Sequence, residues 1–176
     1  LLPIAASGVV PARWVEPRLP PPPARAARTG RLRLEIVSHC WRYAPLLAHQ
    51  LGSLVRFPPR DVDVRMTVYH AAEDAGTVAL LAAVGEHDVP GVTWDWRTLP
   101  RRSLMRRAIG RDHAARATEA DWVWFTDCDV LFREDCLDRL AAAVQGRRDA
   151  LVFPRVEQVT PLLPDDHPLV RAAGTG

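Results

Sequence analysis

Apolar residues recur along this chain in two alternating rhythms. In RLRLEIVSH, Leu32, Leu34 and Ile36 take every second position, the period of a strand with one buried face. In YAPLLAHQLGSLVRF, Leu46, Leu47, Leu51, Leu54 and Val55 fall on one face of a helix, which Pro58 and Pro59 close. DVDVRMTVYH returns to period two through Val62, Val64, Met66 and Val68. A turn-rich acidic loop, AAEDAG, leads into a helix in TVALLAAVGE, and VPGVTWDWRTL holds a short third strand. RRSLMRRAIGRDHAARAT reads as one helix, with Ser103 a candidate cap after Pro100. DWVWFTD has the composition of a strand buried on both faces. REDCLDRLAAAVQG is a helix with acids at its start and Gly146 at its end, and DALVFPRV is a fifth strand. Such alternation implies crossover connections and an α/β domain with a mostly parallel sheet flanked by helices. Ligands of such sheets bind beyond the carboxyl ends of the strands.

Composition narrows the picture further. Residues 1–30 include four consecutive prolines, Pro20 to Pro23, and read as an extended tail that buries little. Residues 31–176 form the expected domain. A chain of 176 residues can bury roughly 70% of its unfolded surface, so a core needs no staples. The net charge of +2 is too small to argue for a nucleic-acid partner. All 23 basic residues are Arg, so every phosphate contact must come from a planar, forked guanidinium. Cys40, Cys128 and Cys136 show neither a CxxC pair nor a zinc spacing, which suits a reducing, cytoplasmic compartment. No apolar run approaches the ~20 residues of a membrane span. LLPIAASGVV is short and has no basic leader, so it is not read as a signal peptide. With no initial Met and an abrupt RAAGTG ending, the sequence reads as part of a longer one.

The candidate chemistry lies in DWVWFTDCDVLF, where an apolar run drives into Asp127 and Asp129. Two like charges this close repel, so a positive partner is expected beside them. Three readings compete. A hard divalent cation would take both carboxylates together with substrate phosphates. Alternatively, DCDVL fits the D-x-D-x-[TV]-[LV] signature of haloacid dehalogenase-like phosphatases, with Asp127 as nucleophile. A third possibility is that the pair caps the following helix. Cys128, between the acids, should point to the opposite side. Seven Arg fall between Arg97 and Arg116 against one acid, Asp112, and forked donors of this kind suit a diphosphate. For Arg102, Arg106 and Arg116 a solvated face is the plainer reading. The phosphatase reading sits badly with the architecture. Its nucleophile normally opens the domain, yet here four strands come first, 47 residues remain beyond Asp129, and the chain has no Lys.

RRAIGRDHAARATEADWVWFTDCDVLF resembles the segment of family 2 glycosyltransferases in which an Arg-Asn or Arg-Asp pair opens a helix that runs into an aromatic strand and D-x-D. Arg111-Asp112 stands at the pair position, fifteen residues before Asp127. LEIVSHCW is similar to the family's first strand and nucleotide loop, VRMTVYHAAEDAGT to the second strand and the acidic loop that reads the base. The resemblance covers about residues 31–156 and implies a GT-A fold. The implied reaction moves a sugar from a UDP- or GDP-linked donor to a hydroxyl of a carbohydrate or lipid-linked acceptor. By the same resemblance Asp129 binds Mn2+ or Mg2+ directly, and Asp127 shares the metal or contacts the ribose. Ser38 lies in the nucleotide loop, Asp74 accepts from uracil or ribose, and Arg111 meets the diphosphate. By the resemblance the reaction is inverting and its base comes from a later segment; with no transmembrane segment in the sequence, action in the cytoplasm at the inner face of a membrane is expected. A non-catalytic nucleotide-binding remnant is the rival from another class. Trp41 could stack on a base, while the other tryptophans suit a core. His39, His70 and His113 read as plain polar residues, and Asp165-Asp166 as a loop.

Overall fold

The computed structural model describes residues 27–147, together with 151–153, 159 and 168. β1 spans Leu32–His39, α1 Ala44–Arg56, β2 Val62–His70, α2 Ala75–Gly85 and β3 Val92–Thr98. α3 (Arg101–Leu104), α4 (Arg107–Ala117), β4 (Trp122–Phe125) and α5 (Cys136–Val144) follow. All strand pairs are parallel, in the order β3-β2-β1-β4. The chain therefore builds outward from β1 through β2 to β3, then returns to place β4 on the other side of β1. The order reverses between β1 and β4, and a crevice opens beyond the carboxyl ends of strands at such a switch point.

The period-two residues do what their spacing predicts. Leu32, Leu34, Ile36, Val62, Val64, Met66 and Val68 are buried together with Leu47, Leu51 and Leu54 of α1, Leu81 of α2, and Leu137, Ala141 and Val144 of α5. The opposite sheet face buries Val37, Tyr69 and Ala71 against Leu104 of α3 and Ala114 of α4. Helices thus cover both faces, as parallel strands require. Trp94, Trp96, Trp122 and Trp124 are half-buried against the larger core. α5 is tied to the entry of β2, because the Asp138 carboxylate accepts from the backbone N–H groups of Arg60 (3.0 Å) and Asp61 (2.8 Å).

Four local expectations change. The inner face of α1 carries Gln50 and Ser53, while Leu46 and Val55 are 41% and 40% exposed. The polar pair has a structural use, described below. The segment read as one helix is two, because Arg106 leaves helical geometry at φ −100°, ψ 73°. Ser103 lies inside the short first piece and caps nothing; Pro100 holds the N-cap position. β4 is an edge strand among the described residues, so its covering is incomplete and Phe125 is 38% exposed. Residues 28–30, read as tail, are hydrogen-bonded to the end of α5: Gly146 N–H donates to Arg28 O, and Gly30 exchanges two bonds with the Gln145 amide. Leu151–Phe153 of the expected fifth strand carry no strand, and the rest of it lies outside the described residues, as do residues 1–26 and Asp165-Asp166.

Candidate active site

β4 ends at Phe125. Thr126 N–H still reaches Val37 O at 3.1 Å, after which the chain turns, with Val130 N–H donating to Asp127 O. Asp127 and Asp129 are exposed, and Cys128 packs inward against the core, although the backbone turns at Cys128 and Asp129 instead of staying extended. α1 pins this turn from beneath. Gln50 Nε2 donates to Asp127 O at 2.8 Å, and Phe132 N–H donates to Ser53 Oγ at 3.1 Å, on the far side of the turn. Ser53 Oγ in turn donates to Gln50 O. Ser38 Oγ donates to Gln50 Oε1 at 2.8 Å and orients that amide. Ser38 has no exposed surface, so its place is under the site rather than in a ligand-facing loop.

The positive partner demanded by the acidic turn comes from α4. Arg107 Nη1 donates to Asp127 Oδ1 at 2.5 Å, and Arg111 Nη2 lies 3.7 Å from the same oxygen. One helical turn separates the two arginines, which places both on one face. The break at Arg106 starts α4 at Arg107. Arg107 had no separate signal in the sequence beyond this four-residue step to Arg111. These side chains are 37–57% exposed, so each pair contributes about 0–1 kcal/mol, and position matters more than stability here. Asp112 pairs with Arg116 instead, four residues on. Arg97 belongs to Asp95, at 2.7 Å.

His39, at the end of β1, sits behind the arginines. It is 9% exposed, stacks on Tyr69 with ring centroids 5.2 Å apart, and neither ring nitrogen has a hydrogen-bond partner. Burial, followed by the nearby positive charges of Arg111 and Arg107, lowers its pKa from the ordinary 6.5 to about 4. Gly110 makes this closeness possible. A Cβ there would overlap His39 Nε2 and come within 3.1 Å of Cε1 and 3.2 Å of Cδ2. His39, read as a plain polar residue, is therefore the surface on which the arginine helix rests.

Asp74 is 8% exposed and caps α2, its Oδ2 accepting from Thr77 Oγ1 at 2.8 Å and its Oδ1 from Thr77 N–H. The same carboxylate accepts from Arg42 N–H at 2.6 Å. Arg42 sits at φ 59°, a left-handed conformation that costs a non-glycine residue roughly 1–2 kcal/mol, and this bond holds it there. Asp74 thus joins the loops after β1 and β2; three of its roughly four acceptor sites are filled. Trp41, in the same loop, has the guanidinium carbons of Arg101 and Arg42 at 4.9 Å and 5.3 Å from its ring centre. Cys40 Sγ lies 3.3 Å from Thr77 Oγ1, and the Cys128 thiol is its neighbour. The neighbouring Cys128 thiol lowers Cys40 to about 7 against the effect of burial, while the Cys40 thiol and burial push Cys128 upward.

Among the described residues no three His, Cys, Asp or Glu side chains gather as a metal cluster. The carboxylates that could hold a cation here are those of Asp127 and Asp129, both exposed. A hard cation held against a diphosphate needs one or two protein carboxylates, with phosphate and water oxygens completing its shell. The pair fits that requirement. An open cleft lined by Gly30, Arg31, Asp61, Asp138 and Gln145 lies at the amino ends of β1 and β2, away from this chemistry.

Two solved structures share the architecture. One is TarS 1–349 from S. aureus, with TM-score 0.52 and 14% identity over 63% of this chain and 32% of that one. The other is the mannosyltransferase PcManGT from Pyrobaculum calidifontis in complex with GDP-Man and Mn2+, with TM-score 0.50 and 24% identity over 77% of this chain and 37% of that one. The chain thus spans about a third of the length of these structures, and the parallel sheet with its flanking helices is of the GT-A type. None of the curated proteins gives a significant match. The sequence profile of glycosyl transferase family 2 matches residues 77–168, just over half of the chain and the stretch that carries α4, β4 and the acidic turn. The chain belongs to glycosyl transferase family 2.

Proposed function

We propose that this domain binds a nucleoside-diphosphate sugar, UDP- or GDP-linked, and takes part in moving the sugar to an acceptor hydroxyl of a carbohydrate or lipid-linked molecule. One observation carries the reading: at the switch point between β1 and β4, Asp127, in the same exposed turn as Asp129, stands beside two arginines on the same face of α4. Asp129, with Asp127, would hold Mn2+ or Mg2+. The cation would supply charge neutralisation for the departing diphosphate. Arg107 and Arg111 supply forked donors to the phosphate oxygens. Gln50 and Ser38 keep the turn in place from below, and Asp74 ties the β1 and β2 loops together on the nucleotide side. The open acceptor site of Asp74 leaves it able to take one donor from a ribose or base. An inverting displacement needs a carboxylate to deprotonate the acceptor, and no residue described here is assigned that role. Three free thiols suit the cytoplasm, and an acceptor at the inner membrane face agrees with the absence, among the described residues, of any helix long and apolar enough to cross a membrane.

A phosphatase using Asp127 as nucleophile is disfavoured, because that carboxylate is already paired with Arg107 and lies 3.7 Å from Arg111. Isothermal titration with UDP or GDP tests the proposal. Binding should require Mn2+ or Mg2+ and disappear in Asp129→Ala. Metal-independent binding that survives the substitution overturns the site, and binding without sugar transfer or donor hydrolysis in a longer chain marks a non-catalytic domain.

A further inference from the structure

Resting on the donor-site reading, we propose that Arg107 and Arg111 form a latch on Asp127, which a diphosphate must draw away before the carboxylate is free for a cation. The two guanidiniums converge on a single oxygen, Asp127 Oδ1, at 2.5 Å and 3.7 Å. A cation reaching that oxygen meets two positive charges already there, so the site as folded resists metal alone. A diphosphate reverses this. Its oxygens carry more charge than a carboxylate and match the guanidinium fork, and Arg107, 57% exposed, can swing to them. Spare donors are present: Arg111 Nε is buried without a hydrogen-bond partner, although its guanidinium lies 5.8 Å from the Phe125 ring centre. Behind it the two nitrogens of His39 are likewise unpartnered, so neither arginine is tied to that ring. Gly110 already brings α4 against the His39 ring, so the helix cannot move further inward and the exchange is one of side chains. Nucleotide and metal then favour each other's binding through the arginines as well as through direct contact, and the coupling is reciprocal.

The test compares Arg107→Met with the unsubstituted chain, following Mn2+ alone by paramagnetic resonance of the free ion and pyrophosphate alone by calorimetry. Arg102→Met, an exposed arginine on α3, controls for net charge. Losing the latch should tighten Mn2+ binding roughly 2- to 5-fold, the range expected for one exposed ion pair, while pyrophosphate binding weakens. Arg107→Lys should fall between, keeping the charge without the fork. Mn2+ affinity unchanged or lowered in Arg107→Met, or raised equally in Arg102→Met, overturns the latch while leaving the donor site standing. Failure of the unsubstituted chain to bind Mn2+ with UDP or GDP removes both.

Discussion

Gly110→Ala should damage this domain, against the usual behaviour of such a substitution. In a helix interior Ala is favoured over Gly by about 1 kcal/mol. Here the new methyl would overlap His39 Nε2 and crowd Cε1 and Cδ2 at 3.1 and 3.2 Å. The ring has little freedom to yield, because Tyr69 is stacked behind it at 5.2 Å and both residues are buried. Overpacking a filled core costs about 1–3 kcal/mol, and a trapped ring puts this case at the upper end. The balance is a net loss of about 2 kcal/mol, or a fall in melting temperature of about 4–8 °C for a chain of this size. Urea and thermal unfolding followed by circular dichroism give both numbers. The decisive measurement is the double variant: in a His39→Ala background the clash is gone, and Gly110→Ala should then stabilise by about 1 kcal/mol. A Gly110→Ala protein as stable as its parent, or one equally damaged with His39 removed, would show that the helix does not rest on this ring. The functional consequence is separate. If α4 shifts outward instead, Arg107 and Arg111 move off Asp127, and diphosphate affinity should fall along with stability.

The lowered pKa of His39 makes folding depend on pH. Between about 6.5 and about 4 the unfolded chain takes up a proton that the folded one refuses, so stability should decline as pH falls through that window. The loss attributable to this residue approaches about 3 kcal/mol at the acid end, and His39→Gln should flatten the slope of stability against pH; an unchanged slope contradicts the buried, neutral imidazole. Gln50→Leu keeps the volume but removes the 2.8 Å donor to Asp127 O and leaves Ser38 Oγ without its acceptor. A destabilisation of about 1–3 kcal/mol is expected, together with faster amide exchange at Thr126 to Val130, and native-like exchange there would sink the pinning role. Asp74→Ala removes the α2 cap and releases the left-handed Arg42; it should cost about 1–2 kcal/mol, whereas Arg42→Gly in the same background should recover part of the loss.

Much of the architecture was legible in the residue pattern because strand and helix periods are local properties. Leu32, Leu34 and Ile36 announced β1, and Val62 to Val68 announced β2; a parallel sheet followed from the alternation with helices. Spacing alone also marked Cys128 as the residue facing away from the two acids, and it packs inward while Asp127 and Asp129 are exposed. What pattern could not reveal were pairings between residues far apart in sequence. Gln50 and Ser53 look like interruptions in an apolar helix until the acidic turn, more than seventy residues on, is found resting on them. Arg107 is one of seven arginines in its stretch, and only the break at Arg106 and the placement of β4 beside β1 bring it to Asp127. His39 and Gly110 each read as unremarkable, since the value of either lies in the other's position. Composition and period are set by neighbours along the chain; the charge balance of the site is set by which strand lies next to which, and that was decided only when β4 docked against β1.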